Sequence, residues 1–173
     1  NCEPWKLAAG GVIVAEYNVP PDAWYFAANR QPTMPFAVLL ETALQPCGWL
    51  ASYAGLAASG KAYFRNLDGS ESVQHCEVTP DLGRLVTSAT LTRVVRLGEL
   101  ILTFFKVECH AGDRLVCSMT TSFGIFTAAE LAKQAGLTVK AEARAFLTEA
   151  APAAFSAQEL ARLAGPKLPT GQL

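Results

Sequence analysis

The chain has 173 residues, of which 51% are hydrophobic and 17% are charged, and its formal net charge is −1 at pH 7. This length and composition predict one domain with a sizeable core. The small net charge and the scattered lysines and arginines disfavour nucleic acid and an anionic membrane surface as partners. No signal peptide is evident in the sequence, and we expect a cytoplasmic protein. Asn1 is an unusual first residue, so we expect a fragment of a longer protein.

The cysteine pattern indicates free thiols. The five cysteines are Cys2, Cys47, Cys76, Cys109 and Cys117. Their number is odd and no Cys-x-x-Cys spacing occurs, which disfavours both a zinc site and a disulfide framework. We therefore expect reduced cysteines, as is typical of a cytoplasmic protein, and no metal.

The first elements precede a proline-rich loop. Residues 11–17 (GVIVAEY) are β-branched and short, which predicts a strand that ends at Pro20 and Pro21. The aromatic segment 23–28 predicts a second short strand.

A long helix is predicted from about Pro35 to about Ala58. Proline fits the first turn of a helix, so Pro35 can open it, whereas Pro46 removes one backbone hydrogen bond from its interior. Its predicted buried residues are Ala37, Val38, Leu39, Leu40 and Leu44.

Glu41 and Gln45 interrupt this apolar helix. They are four residues apart and therefore share one face. A carboxylate in such surroundings is costly to bury unless it is paired or used, which makes Glu41 the first candidate for chemistry. Helical periodicity alone favours the alternative of a solvated stripe that also contains Ser52. These polar residues and Pro46 also argue against a membrane span.

The rest of the core sequence has a period of two, which predicts antiparallel strands. Strands are predicted at residues 71–78, 85–96, 100–109 and 115–126. Turns are predicted at Gly60 and at residues 66–69, 79–84, 97–99 and 111–113. One long helix followed by these strands indicates an α+β fold, with an antiparallel sheet of about five to six strands wrapped around the helix.

The end of the chain has a different composition. A helix is predicted from Thr127 to Ala135, because Thr127 and Glu130 have the spacing of a capping box and Gly136 can end it. Residues 137–173 are rich in alanine and proline, which predicts a linker. The predicted organisation is a domain at residues 1–136 followed by this linker.

The helix region resembles a known family. The segments QPTMP (31–35) and VLLETALQ (38–45) are similar to the Pro-x-Met-Pro-Gly and Leu-x-Leu/Ile-Asp/Glu-x-x-x-Gln motifs of the β-hydroxyacyl-acyl-carrier-protein dehydratases. The likeness is strongest to the first hot-dog repeat in the dehydratase region of polyunsaturated fatty acid synthases and iterative polyketide synthases. Similar segments also lie at residues 18–41, 43–55, 64–69 and 78–85.

This resemblance implies a hot-dog fold that forms half of a double hot-dog. Residues 168–173 (LPTGQL) resemble the end of the linker that leads to the second repeat. The expected partners are that second repeat, an acyl-carrier protein and, as a further option, a second copy of this chain. No cofactor is implied, because the substrate is carried on the phosphopantetheine of the carrier protein.

In this family a histidine of one repeat and a helix acid of the other form a composite site. The resemblance places Glu41 at the acid position and Gln45 at the amide position, and these are the predicted catalytic residues. The histidine position holds Ala27 or Asn29, depending on the end from which the loop is counted. Phe36 stands at the position of the glycine in the Pro-x-Met-Pro-Gly motif. The repeat is therefore expected to contribute Glu41 to a site whose histidine comes from the adjoining repeat.

The implied activity is dehydration of 3-hydroxyacyl chains in polyunsaturated fatty acid or polyketide biosynthesis. The isolated chain is expected to be inactive because it lacks the base. Two alternatives remain: a structural module in which Glu41 is idle, and a hot-dog thioesterase that uses the helix carboxylate without a histidine.

Other singled-out residues have simpler interpretations. His75 and His110 are predicted surface residues, Asn29 is predicted to hydrogen-bond its own loop, and Cys47 is predicted to pack. The aromatic residues expected in the core or an interface, with an acyl-tunnel lining as the alternative, are Trp24, Tyr25, Phe26 and Trp49.

Overall fold

The computed structural model describes residues 2–56, 62–69, 71–98, 100–134, 136, 140–142, 144–145, 156 and 158. Its strands are β1 (Val12–Asn18), β2 (Ala62–Asp68), β3 (Val73–Gln74), β4 (Arg84–Leu97), β5 (Leu100–Ala111) and β6 (Arg114–Thr127). Its helices are α1 (Trp24–Ala28), α2 (Phe36–Tyr53) and α3 (Ala128–Ala132).

The strands form one six-stranded antiparallel sheet. Their order is β1-β4-β5-β6-β2, and the short β3 also pairs with β6. Helix α2 packs against β1, β4 and β5. This is an α+β hot-dog arrangement, which confirms the fold class predicted from the sequence. No described helix is both long enough and apolar enough to cross a membrane.

Helix α2 buries one face against the sheet. Leu39, Ala43 and Cys47 are 0% exposed, and Leu50 follows at 2%. This spacing of three to four residues produces one apolar stripe. Of the five residues predicted to be buried, only Leu39 is; Ala37 is exposed, and the other three, Val38, Leu40 and Leu44, are half-buried.

The helix is also shorter than predicted. It begins at Phe36 and ends at Tyr53, with Pro46 inside it as expected. Residues 57 and 58 of the predicted helix lie outside the described part of the chain.

The three long strands confirm the period-two prediction. Strands β4, β5 and β6 form two consecutive hairpins. Gly98 and Gly112 lie at the turns with φ of 63° and 58°. Glycine adopts positive φ without steric cost, which permits the tight reversals.

The aromatic segment 23–28 was wrongly predicted as a strand. It contains α1, in which the Phe26 amide donates to the Ala23 carbonyl at 3.0 Å and the Asn29 amide donates to the Tyr25 carbonyl at 3.0 Å. Tyr25 and Phe26 are both buried. Successive residues of a strand point to opposite faces, so a helical turn brings this adjacent pair into the core more readily.

Two other local predictions were wrong. Residues 66–68 belong to strand β2 rather than to a turn, and the pairing of β2 with β6 is irregular between Asn66 and Asp68. In the predicted strand 71–78, only Val73 and Gln74 pair with β6. The predicted turn at Gly60 lies outside the described residues.

The capping box at the start of α3 is confirmed. The Thr127 hydroxyl accepts from the Glu130 amide at 3.2 Å, and the Thr127 amide donates to the Glu130 carboxylate at 2.8 Å. The helix ends at Ala132, before Gly136. Most of the predicted linker, residues 137–173, lies outside the described residues, so this boundary remains a prediction.

Stability should depend on the buried stripe of α2. Leu39→Ala is expected to lower the free energy of unfolding by about 2–5 kcal/mol, because it leaves a cavity in the core. Leu97→Ala makes the same chemical change at a site that is 57% exposed. It should alter stability by no more than about 0.5 kcal/mol. Denaturant unfolding measures both, and equal losses would contradict this assignment of the core.

Candidate active site

Glu41 and Gln45 lie together on the outer face of α2. Both side chains are exposed, and the Gln45 amide donates a hydrogen bond to the Glu41 carboxylate. In the described part of the chain, no lysine or arginine forms a salt bridge with Glu41. The pair can therefore present a carboxyl group oriented by an amide, on the side of the helix that faces away from the core.

A groove of about 810 Å³ lies between this face of α2 and the edge strand β1. The pair of Glu41 and Gln45 forms part of its wall. The lining residues are Ile13, Val14, Ala15, Glu16, Tyr17, Glu41, Thr42, Gln45, Pro46, Gly48, Trp49, Ser52 and Thr87. Among these residues there is no histidine, lysine or arginine.

Strand β1 supplies the opposite wall and is linked to α1. The hydroxyl groups of Tyr17 and Tyr25 lie 3.4 Å apart and can share a hydrogen bond. Burial, followed by this contact with Tyr17, raises the pKa of Tyr25. Strand β1 was not assigned to the site from the sequence. In the structure Ile13, Ala15 and Tyr17 turn inward, but the sequence VIVAEYN has no apolar–polar alternation that would show this.

The loop before α2 is fixed by its own polar contacts. The Asn29 side-chain amide donates to the Thr33 carbonyl at 3.2 Å, and the Arg30 amide donates to the Asn29 side-chain oxygen at 3.0 Å. The Met34 amide donates to the Val78 carbonyl at 2.8 Å. The predicted loop-bonding role of Asn29 is confirmed.

The two histidines lie elsewhere. His75 is exposed, and its Nε2 atom is 2.8 Å from the hydroxyl of Ser118. His110 is half-buried and lines a separate depression on the outer side of β4 and β5. The surface prediction is therefore right for His75 and only partly right for His110. Among the described residues that line the Glu41 groove are two carboxylates, Glu41 and Glu16, and one amide, but no imidazole.

Of the four aromatic residues predicted to lie in the core or an interface, two are buried and two are exposed. Tyr25 and Phe26 are core residues, but Trp24 is 75% exposed and Trp49 is 61% exposed. Trp49 stacks on Tyr53 with 5.4 Å between the ring centres and an interplanar angle of 11°. Trp49 also lines the Glu41 groove. The core interpretation was thus wrong for both tryptophans.

Cys47 occupies the opposite side of α2. It is fully buried, which confirms its predicted packing role, and burial raises the pKa of its thiol to about 12. Across the described residues, no group of three or more histidine, cysteine, aspartate or glutamate side chains is arranged to hold a metal ion.

The six-stranded sheet packed on α2 defines a hot-dog domain. Residues 3–120 match the FabA-like domain family. The chain belongs to this family.

One relative is a large polypeptide of the polyunsaturated fatty acid synthase of Thraustochytrium sp., which is 32% identical over 142 residues. The match covers 79% of this chain, and the chain spans 9% of the length of that relative.

Two solved structures share the fold. One is a variant of the fluoroacetyl-CoA-specific thioesterase FlK in complex with fluoroacetate and CoA, with a TM-score of 0.55 and 14% sequence identity. The match covers 72% of this chain and 99% of the FlK chain. The monoamine oxidase regulatory protein from Archaeoglobus fulgius has a TM-score of 0.55 and 17% identity, covering 72% of this chain and 94% of its own. At these identities the likeness concerns the fold alone.

Glu41 should be dispensable for folding. Glu41→Gln keeps the size of an exposed side chain, so the free energy of unfolding should change by no more than about 0.5 kcal/mol. Ala43→Glu places a carboxylate on the buried face of the same helix and should cost about 2 kcal/mol or more. Thermal and denaturant unfolding would measure both. A larger loss for Glu41→Gln than for Ala43→Glu would show that Glu41 has a structural role.

Proposed function

We propose that this chain is one hot-dog unit of a 3-hydroxyacyl-[acyl-carrier-protein] dehydratase, and that Glu41 supplies a carboxyl group to a composite site. The histidine of that site would come from an adjoining hot-dog unit of the same polypeptide. The observation that carries the proposal is the pairing of Glu41 with Gln45 beside an open groove that contains no histidine. Membership of the FabA-like family and the polyunsaturated fatty acid synthase relative support this reaction class.

Dehydration requires two proton transfers. A base removes a proton from the carbon next to the thioester, and an acid protonates the leaving hydroxyl group. A neutral histidine suits the first step and a protonated carboxyl group suits the second. In our proposal Glu41 is the acid, and the Gln45 amide orients it through their hydrogen bond.

The exposure of the Glu41 side chain is one reason to propose that a second hot-dog unit covers this site. A carboxyl group acts as a general acid near neutral pH when burial raises its pKa. In the single chain the Glu41 side chain is exposed. A neighbouring unit that covers the groove would exclude water from it and would bring a base to the acid at the same time.

The walls of the groove are suited to such a cover. Trp49 lines the groove and is 61% exposed, and Tyr53, which stacks on it, is 40% exposed. Among the described residues, strand β1 ends the sheet and has a strand on one side only. Exposed apolar side chains beside a free strand edge favour association with another protein surface. The acyl-carrier protein would then deliver the substrate to the covered groove.

The proposal predicts activity only for the longer protein that joins this chain to its following hot-dog unit. This chain alone should not dehydrate a 3-hydroxyacyl thioester, because it lacks the base. In the joined protein, Glu41→Gln should lower kcat by about 10²–10⁴-fold, since general acid–base steps contribute amounts of this size. Steady-state dehydration assays at fixed pH would measure both effects.

The matched control is Glu108→Gln, which removes a carboxylate on β5 that pairs with Lys106 at 2.8 Å and does not line the groove. It should retain full activity. Full activity of Glu41→Gln would instead favour a structural module with an idle Glu41. Release of free thiol from an acyl thioester without loss of water would favour a thioesterase.

A further inference from the structure

Two buried cysteines face each other across the β5–β6 hairpin. Cys109 of β5 is paired directly with Cys117 of β6, next to the bulge that follows Cys109. The residues are 0% and 1% exposed. Both carry free thiols. Neither cysteine lines the Glu41 groove, although Thr87, which pairs with Cys109, does; the proposed dehydration uses neither thiol.

This pairing suits a disulfide. Residues directly opposite each other in antiparallel strands have Cα atoms about 4.5–5.5 Å apart. Disulfides span Cα separations of about 4.4–6.8 Å. Cys109 and Cys117 could therefore be bonded through rotation of their side chains, without a change in the pairing of the strands.

The local environment also activates one of the two thiols. A hydrogen bond with Cys117 lowers the pKa of Cys109 to about 7; burial opposes this shift, and a hydrogen bond with Thr87 favours it. The contact with Cys109, together with burial, raises the pKa of Cys117. A thiol of lowered pKa therefore lies directly beside a second thiol, and such a pair can take part in thiol–disulfide exchange.

A third cysteine connects this pair with the surface. Cys76 is half-buried and follows β3, whose Gln74 pairs with Cys117. The Cys76 thiol lies 3.7 Å from the carbonyl oxygen of Leu115 on β6. Cys76 packs against the buried cluster that contains Cys109 and Cys117.

We propose that Cys76, Cys117 and Cys109 form a thiol relay that a hydroperoxide converts to a reversible Cys109–Cys117 disulfide. The Cys76 thiolate attacks the peroxide, becomes a sulfenic acid and releases water after protonation. Cys117 then attacks the Cys76 sulfur while the Cys109 thiolate takes its proton, and the sulfenic oxygen leaves as a second water with that proton. Finally, the Cys109 thiolate attacks the Cys117 sulfur and displaces Cys76 as a thiolate, which takes up a proton.

The overall change is two thiols and one hydrogen peroxide to one disulfide and two waters. A dithiol reductant reverses it by exchange. Cys47 provides the internal contrast, because it is equally buried but lies on helix α2 rather than opposite another cysteine in the sheet. It is expected to remain a thiol under the same conditions.

The test treats the purified protein with a small excess of hydrogen peroxide at pH 7, blocks the remaining thiols by alkylation and maps the peptides by mass spectrometry. The expected product is a Cys109–Cys117 disulfide that dithiothreitol removes. Cys76→Ser should slow its formation by about tenfold or more, because the accessible thiol is lost. Cys47→Ala is the matched control and should react at the wild-type rate.

Two results would overturn the relay. One is a peptide map in which Cys109 and Cys117 remain free thiols while Cys76 is oxidised further. The other is formation of the disulfide at the same rate in Cys76→Ser as in the wild type. The wild-type peptide map is informative even if a variant fails to fold, because it needs no substitution.

Discussion

Helix α2 must place an apolar face on a curved sheet, and an α-helix turns by about 100° per residue. With Leu39, Ala43 and Cys47 against the sheet, a residue two positions after Leu39 points about 200° away from it. Glu41 and Gln45 are therefore carried to the opposite side of the helix by the packing of the core itself. The position of Glu41 and Gln45 on one wall of the groove follows from this geometric constraint.

An element could be predicted from the sequence when its own residues carry the pattern that determines it. The long strands β4, β5 and β6 are β-branched and bounded by glycine turns, so their pattern alone identifies them. Helix α1 was missed because five residues are too few to show a helical period. Strand β2 was missed because its FRNLD segment resembles a turn, and an edge strand gains its structure from pairing with β6 rather than from its own composition.

The site was harder to predict from the sequence than the fold. Periodicity placed Glu41 and Gln45 on one face, but the choice between a solvated stripe and a reactive pair rested on the family resemblance. The opposite wall comes from β1, which lies more than twenty residues earlier in the chain. Contacts between such distant segments follow from the pairing of β1 with β4, which no local pattern specifies.

Pro46 has a consequence for the chemistry of the groove. Proline has no amide hydrogen, so the carbonyl oxygen of Thr42, four residues earlier, lacks its usual helical donor at this position. Thr42 and Pro46 both line the groove, between the levels of Glu41 and Trp49. The wall of the groove therefore includes a turn of helix that has one backbone hydrogen bond fewer than the turns beside it.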